Sequence, residues 1–466
     1  MSNNPFVANP VIGKIKTKLG GKKKNSETET IGLGSVRAYL IGMNNAFPIC
    51  AEASACCWDK PVPETYDKIA DYVGRRSKTG HTSILEHSNF VIYLEVDNSF
   101  TDDLLKFCNT IKYLNTFIEK SNDGSYWHVL IGGSYRGYSD LYRETNDLNG
   151  IILQNITSIL YTYSNVGAFE DICELGLLNR QMFTNTEPDE NFKLLTTEFE
   201  NDEVDFDLFK VLGLDSMKKL YGNLREINEE AAKKVSVFDM MKFATITVLF
   251  KNMSRTCTHQ LVRHRNAITQ ESQRYVNYSE SCFSSPAVFK PDKYDPNHKY
   301  AIRFASSGMM YLTLDDIGEA ICNIYGQLQN AAITGNNYQL LKEDARAFLP
   351  GNVQCRKIYM TFTLKSFVKF LNLREDKHAQ AEIRMYATAV GDWFRNNSEF
   401  KTKELCDLYT KPRLLIEDPF NFDENLGITE EVFTVSDEEY EQANGLESTE
   451  DDVAFESIKP NKDNEV

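Results

Sequence analysis

Apolar positions along the chain fall into a few clear patterns. SNFVIYLEV (88–96) sets Phe90, Ile92, Leu94 and Val96 against more polar neighbours, and FATITVLF (243–250) is a second β-branched run. Both predict strands, the first half-buried by its alternation. Across 311–332, Leu314, Ile317, Ile321, Ile324 and Leu328 recur at three- and four-residue steps, which predicts an amphipathic helix. A further helix is expected over 377–395, with Ile383, Tyr386, Val390 and Phe394 on one face. Strands mixed with long helices imply an α+β body, a mixed or antiparallel sheet flanked by helices.

The two strand signals are separated by a long segment, 98–242, that reads as partly helical and carries an acidic loop near TNTEPDENFKLLTTEFENDEVDFD. No internal repeat stands out in it, and it is expected to be an inserted subdomain. Residues 1–32 are rich in Gly, Lys, Ser and Asn, and 416–466 lack apolar periodicity, so both read as disordered tails, one basic and one acidic. The catalytic body is then expected at 33–97 and 243–415.

Composition narrows the class. With 42% hydrophobic and 12% aromatic residues, the chain of 466 can bury a large core. Its formal charge of −16 is unevenly spread: 417–466 hold 17 acids against Lys459 and Lys462. Residues 1–31 hold six lysines against two glutamates, which leaves the body near −5. The ten cysteines form no CxxC pair and no Cys/His spacing suited to zinc, so they read as reduced thiols and no metal is expected. There is no apolar run of membrane length and no signal-peptide pattern, so a cytoplasmic protein without membrane partners is the expectation.

Chemistry concentrates locally. Five of the seven histidines fall in three short segments: His81 and His87 in GHTSILEH, His259 and His264 in SRTCTHQLVRHRNAITQESQRY, and His378 in FLNLREDKHAQAEIR. Residues 251–275 carry Lys251, Arg255, Arg263, Arg265 and Arg274 against the single acid Glu271. So compact a basic patch on an acidic body favours a small anion over a nucleic-acid track. If 255–264 is helical, Arg255, His259 and Arg263 share a stripe and Gln260 faces the same way. A guanidinium fork beside an amide can hold a phosphate or a planar imide such as a pyrimidine edge. A solvated basic helix followed by a turn is the alternative, in which the histidines are structural and Ser272 is a turn hydroxyl.

At residue level, Gln260-Leu261-Val262-Arg263-His264-Arg265 followed by Gln270-Glu271-Ser272-Gln273-Arg274-Tyr275 resembles the signature of flavin-dependent thymidylate synthases. That signature is RHR, seven residues, then Ser; six residues intervene here, so the path of 266–269 differs. GHTSILEH (80–87), DARAFLP (344–350) and FLNLREDKHAQAEI (370–383) resemble further family segments in the same order. The resemblance implies FAD contacts at His81, Ser83, Glu86, Arg263, His264, Arg265, Gln270, Lys365 and His378. It implies dUMP contacts at Gln260, Arg263, Gln270, Ser272, Arg274, Arg346 and Arg374, with Arg374 and Ser272 catalytic. The family usually has Asn-x-Arg and then Asn where this chain has Thr363, Lys365 and Lys369. IGGSYRGYSDLYR (131–143) is a fainter match to such a segment, and Tyr135-Arg136 there reads as ordinary fold. By the same resemblance, dUMP is methylated with methylenetetrahydrofolate as carbon donor and NADPH-reduced FAD as hydride source, in a homotetramer with shared active sites. None of the ten cysteines sits in the Pro-Cys-His context of a thiolate mechanism. A hydroxymethylating relative, or a nucleotide- or RNA-binding regulator that kept only the pocket, are the rival readings.

Overall fold

The computed structural model describes residues 11–16, 27–33, 36–43, 46–63, 66–144, 150–156, 196–200, 205–209, 214–279, 295, 297–304, 308–330 and 339–397. The acidic stretch 416–466 lies outside them, as does most of the acidic loop expected at 184–207; its residues 196–200 and 205–207 are described and belong to paired strands rather than a loop. The architecture is α+β, and among the described residues all the strand pairings are antiparallel.

Six strands form one sheet: β1 (Val11–Lys16), β2 (Glu27–Leu33), β3 (Val36–Met43), β4 (Asn89–Asp97), β5 (Asn115–Lys120) and β6 (Tyr126–Ser134), in the order β1-β2-β3-β4-β6-β5. Five strands form the second: β7 (Thr196–Glu200), β8 (Asp205–Phe209), β9 (Thr245–Ser254), β10 (Ala267–Gln270) and β13 (Gln354–Thr363), ordered β10-β13-β9-β8-β7. A separate hairpin joins β11 (Tyr300–Phe304) to β12 (Gly308–Leu312). The main helices are α1 (Ala46–Trp58), α2 (Tyr66–Lys78), α3 (Thr101–Thr110), α4 (Tyr135–Glu144), α5 (Leu214–Ile227), α6 (Glu229–Lys234), α7 (Arg255–Leu261), α8 (Leu314–Leu328), α9 (Leu364–Arg374) and α10 (Ala381–Asn397).

Both expected strands form, but β4 is not half-buried. Asn89 to Val96 are all buried, because Phe90, Ile92, Leu94 and Val96 enter one core while Val91 and Tyr93 enter another on the opposite face. A strand covered on both sides needs no polar face, so its alternation marks two different cores. The helix expected at 311–332 begins only at Leu314: Tyr311 and Leu312 belong to β12, and Thr313 stops the strand by capping. Its side chain accepts from the Asp316 N–H while the Asp316 carboxylate accepts from the Thr313 N–H. The face buried is Gly318, Cys322 and Tyr325; Ile324 stays exposed. The expected 377–395 helix is α10, with Ile383, Tyr386, Val390 and Phe394 all buried.

Two further segments differ from their sequence reading. Residues 11–16 and 27–33, within the stretch read as a disordered tail, pair as β1 and β2, in a register that sets lysine positions 14 and 16 opposite glutamate positions 29 and 27. Segment 98–242 is not set apart either. Its β5 and β6 complete the first sheet, β7 and β8 extend the second, and α5 and α6 pack into the core that carries β9 and β13.

Candidate active site

Short local devices bring the basic residues together. Ser254 ends β9 and caps α7 by accepting from the Cys257 N–H, and its own N–H and hydroxyl are fixed by Glu382 of α10 at 2.6 and 2.5 Å. Helix α7 stops at Leu261, not 264. Val262–His264 tighten into a 3₁₀ turn, and Arg265 adopts the left-handed conformation, φ 51° and ψ 38°. A non-glycine residue there costs about 1 kcal/mol, and of the two arginines flanking His264, Arg265 lines the cavity described below while Arg263 does not.

That early stop breaks the expected stripe. Arg255 is drawn inward, donating to the Glu271 carbonyl oxygen at 2.5 Å and the Tyr278 hydroxyl at 3.0 Å, so it is structural. His259 and Arg263 stay exposed. Gln260 meets Gln380, a residue not singled out from the sequence.

Arg374, the last residue of α9, donates from Nε to His264 Nε2 at 2.8 Å. To accept this bond the imidazole must be neutral. Burial first, then the Arg374 and Lys369 charges, lower its pKa to about 4. Its ring stands edge-on to Phe370, 5.1 Å between centroids, which fixes its plane. Arg374 itself loses some basicity through desolvation and then through the nearby Arg263 charge. Two guanidiniums that repel one another beside a neutral imidazole make a place suited to an anion.

Beyond Arg265 the chain enters β10, and a cavity of about 390 Å³ opens there. Arg265, Asn266 and Thr363 line it together with Glu86, Ser134 and Arg136. Arg136 donates to Glu86 at 2.5 Å. Where its sequence context suggests ordinary fold, the structure puts Arg136 in the cavity lining. Desolvation raises the Glu86 pKa, partly offset by Arg136. Thr245 Oγ1, also at the cavity, is buried without a hydrogen-bond partner, as is Gln270 Oε1. Buried polar atoms of this kind commonly await a ligand or water. His87, next to Glu86, is wholly buried and bridges the hydroxyls of Thr361 and Thr269, each at 2.9 Å. Burial alone drops its pKa to about 3, so it is a neutral pin between the 3₁₀ turn Thr82–His87 and the second sheet.

A third cluster gathers the remaining arginines. Arg274 forms a two-pronged ion pair with Glu343, 3.2 and 3.0 Å, and Arg346 Nε donates to the Glu343 carbonyl oxygen at 3.0 Å. Ser272 Oγ accepts from the Arg274 N–H at 3.3 Å, a turn contact, and among the described residues it has no hydrogen bond to a histidine or carboxylate that would activate it as a nucleophile. Tyr275 stacks on Trp58, 5.4 Å between centroids, and His81 meets the same indole edge-on at 5.0 Å. Ser83 is exposed in its turn. Two expected contacts point elsewhere. The Lys365 ammonium lies over the Phe238 ring, 4.4 Å from its centroid, and His378 pairs with Asp376 at 2.8 Å in the exposed turn after α9.

Comparison with known proteins bears on this arrangement. Residues 215–397 match the family model described as thymidylate synthase complementing protein. The chain is similar to flavin-dependent thymidylate synthases. It is 28% identical to that of Mycobacterium leprae over 153 residues, covering 32% of this chain and 57% of the relative. Against that of Nitratidesulfovibrio vulgaris it is 32% identical over 151 residues, covering 32% and 56%. Against that of Corynebacterium efficiens it is 30% identical over 182 residues, covering 36% and 66%. The matched stretches thus span little more than half to about two thirds of these relatives' length. The family match takes in the RHR turn, the Glu343 cluster and α9, and begins inside the segment read as an insertion.

Proposed function

We propose that the chain is a flavin-dependent thymidylate synthase that converts dUMP to dTMP, with methylenetetrahydrofolate as carbon donor and NADPH as reductant. The observation that carries this reading is the Arg374–His264 pair beside Arg263. Among the described residues Arg374 hydrogen-bonds through its Nε, which leaves the guanidinium fork for a planar anion such as an ionised uracil imide. A neutral His264 holds the fork's orientation without competing for the anion, and the positive surroundings favour the ionised pyrimidine and an electron-rich carbon 5. Arg274 and Arg346, gathered at Glu343, suit the phosphate, which would displace the carboxylate.

FAD is the group the family implies, and the cavity fits it. Its volume falls in the range of cofactor clefts, Arg265 and Arg136 offer cations to a diphosphate, and the unpartnered Thr245 hydroxyl oxygen offers a polar contact. Bound there, FAD would carry the reducing equivalents of NADPH to the transferred carbon. The protein's share is to orient dUMP through Arg374, to keep His264 unprotonated, and to exclude water along the apolar side of α9. Incubating the purified chain with dUMP, FAD, NADPH and methylenetetrahydrofolate should yield dTMP. A 5-hydroxymethyl product, or no product with nucleotide still bound, would replace this reading by one of its rivals.

A further inference from the structure

Two stretches of the chain have the same structure. From β3 to α4 the order is strand, two helices, strand, helix, two strands and helix; from β8 to α9 it is the same, with the one-turn helix Val237–Met240 standing where the first has the 3₁₀ turn Thr82–His87, and 271–353 where the first has the turn 121–125. The sheets read β3-β4-β6-β5 and β8-β9-β13-β10. Registers also coincide. Asn89 pairs with Ser134 and Asn115 with Gly132, just as Thr245 pairs with Thr363 and Ala267 with Thr361. In both, the strand runs without a gap into its helix, Ser134 to Tyr135 and Thr363 to Leu364.

The two units interlock. Helix α1 of the first packs on β10 and β13, and α5 of the second packs on β3. A Cβ on Gly132 would lie 2.6 Å from Phe243, so glycine lets the second unit close on the first sheet. Asn223 donates to the Ile41 carbonyl oxygen at 2.8 Å, and Asn115 to that of Lys242 at 2.9 Å.

Register equivalence shows what each unit kept. Arg263-His264-Arg265 of the second correspond to Ile111-Lys112-Tyr113 of the first, which has no arginine there. Conversely, Arg136 and Asp140 at the start of α4 correspond to Lys365 and Lys369 of α9. Arg136 lines the cavity, whereas Lys365 turns away onto Phe238. The cavity lies between the units, bordered by Arg136 and Glu86 from the first and Arg265 and Asn266 from the second.

We infer that the chain is a covalently joined pseudo-dimer whose units have degenerated in complementary ways, so that the first supplies the Glu86–Arg136 wall of a single FAD site whose other wall carries Arg265. The inference rests on the FAD reading above. It replaces the expectation, drawn from the family resemblance, that separate subunits complete each site: here the complement is in cis.

The test is flavin binding, read by bound FAD absorbance, in doubly tagged chain pairs isolated after co-expression. One pair joins Arg136→Ala to Arg265→Ala; the other joins the wild-type chain to the double variant. A site built in cis leaves no intact site in the first pair and one in two in the second. A site built in trans gives the reverse, one in two and none, and overturns the inference. Because the cis result requires the second pair to bind FAD, that pair also controls for folding. A chain that runs as a monomer and still binds one FAD establishes the cis site directly. A wild-type chain that binds no FAD removes the proposed function and this inference together, whereas restored binding in the first pair removes only the inference.

Discussion

His87 offers a stability test whose size follows from its surroundings. It is wholly buried, its ring nitrogens are taken up by Thr361 and Thr269, and its pKa falls from an ordinary 6.5 to about 3. In the unfolded chain it protonates below 6.5, while in the folded protein it stays neutral to about 3. Its contribution is therefore complete above pH 6.5 and is lost as pH falls through the window from 6.5 to 3. Each pKa unit is about 1.4 kcal/mol, so the full loss is about 5 kcal/mol, of which about 2 kcal/mol appears between pH 7.5 and pH 5. His87→Gln keeps hydrogen-bonding groups between the two threonines and removes the titration. Urea unfolding followed by tryptophan fluorescence, at pH 7.5 and pH 5, measures the difference. The wild type should lose about 2 kcal/mol more than the variant on acidification. Equal losses would refute a neutral buried His87 and with it the account of how the Glu86 turn is fixed on the second sheet.

Other expectations concern the site itself. Arg374→Ala should lower kcat by about 10²-fold or more while the protein melts normally, since it removes a cation aimed at the anion rather than a packing contact; a wild-type rate would sink its assignment. In the same variant the His264 pKa, followed by NMR, should rise towards the ordinary histidine range, because one of the two charges depressing it is gone. Glu343→Gln should change stability by less than about 1 kcal/mol, as its ion pair with Arg274 is exposed, yet lower the KM for dUMP by freeing that arginine; a raised KM contradicts the phosphate role. Glu382→Ala, which strands the Ser254 N–H and hydroxyl in the core, should cost about 2–4 kcal/mol in chemical denaturation.

What the sequence disclosed depended on how local each signal was. The β-branched run at 243–250 and the apolar stripe of α10 were legible because their periods are short and their burial follows from period alone. The reach of α7 was not, since its end at Leu261 is set by the 3₁₀ turn and the left-handed Arg265, which no periodicity announces. Arg255 carries the same charge as Arg263 but is claimed by Glu271 and Tyr278, partners that only tertiary structure brings near. The place of Arg136 was hidden for a similar reason: it shares a cavity lining with Arg265, more than a hundred residues away in the chain. The duplication was hidden because strand order and pairing register can be kept while side chains change, as Ile111-Lys112-Tyr113 and Arg263-His264-Arg265 do at equivalent positions.

The measurement that bears most directly on the proposed function uses dUMP carrying tritium at carbon 5. With FAD, NADPH and methylenetetrahydrofolate present, the wild-type chain should release the label to water in step with dTMP formation, and both should stop when FAD is withheld. Release and dTMP that persist without flavin, or flavin and dUMP bound with no release under reducing conditions, would contradict the account.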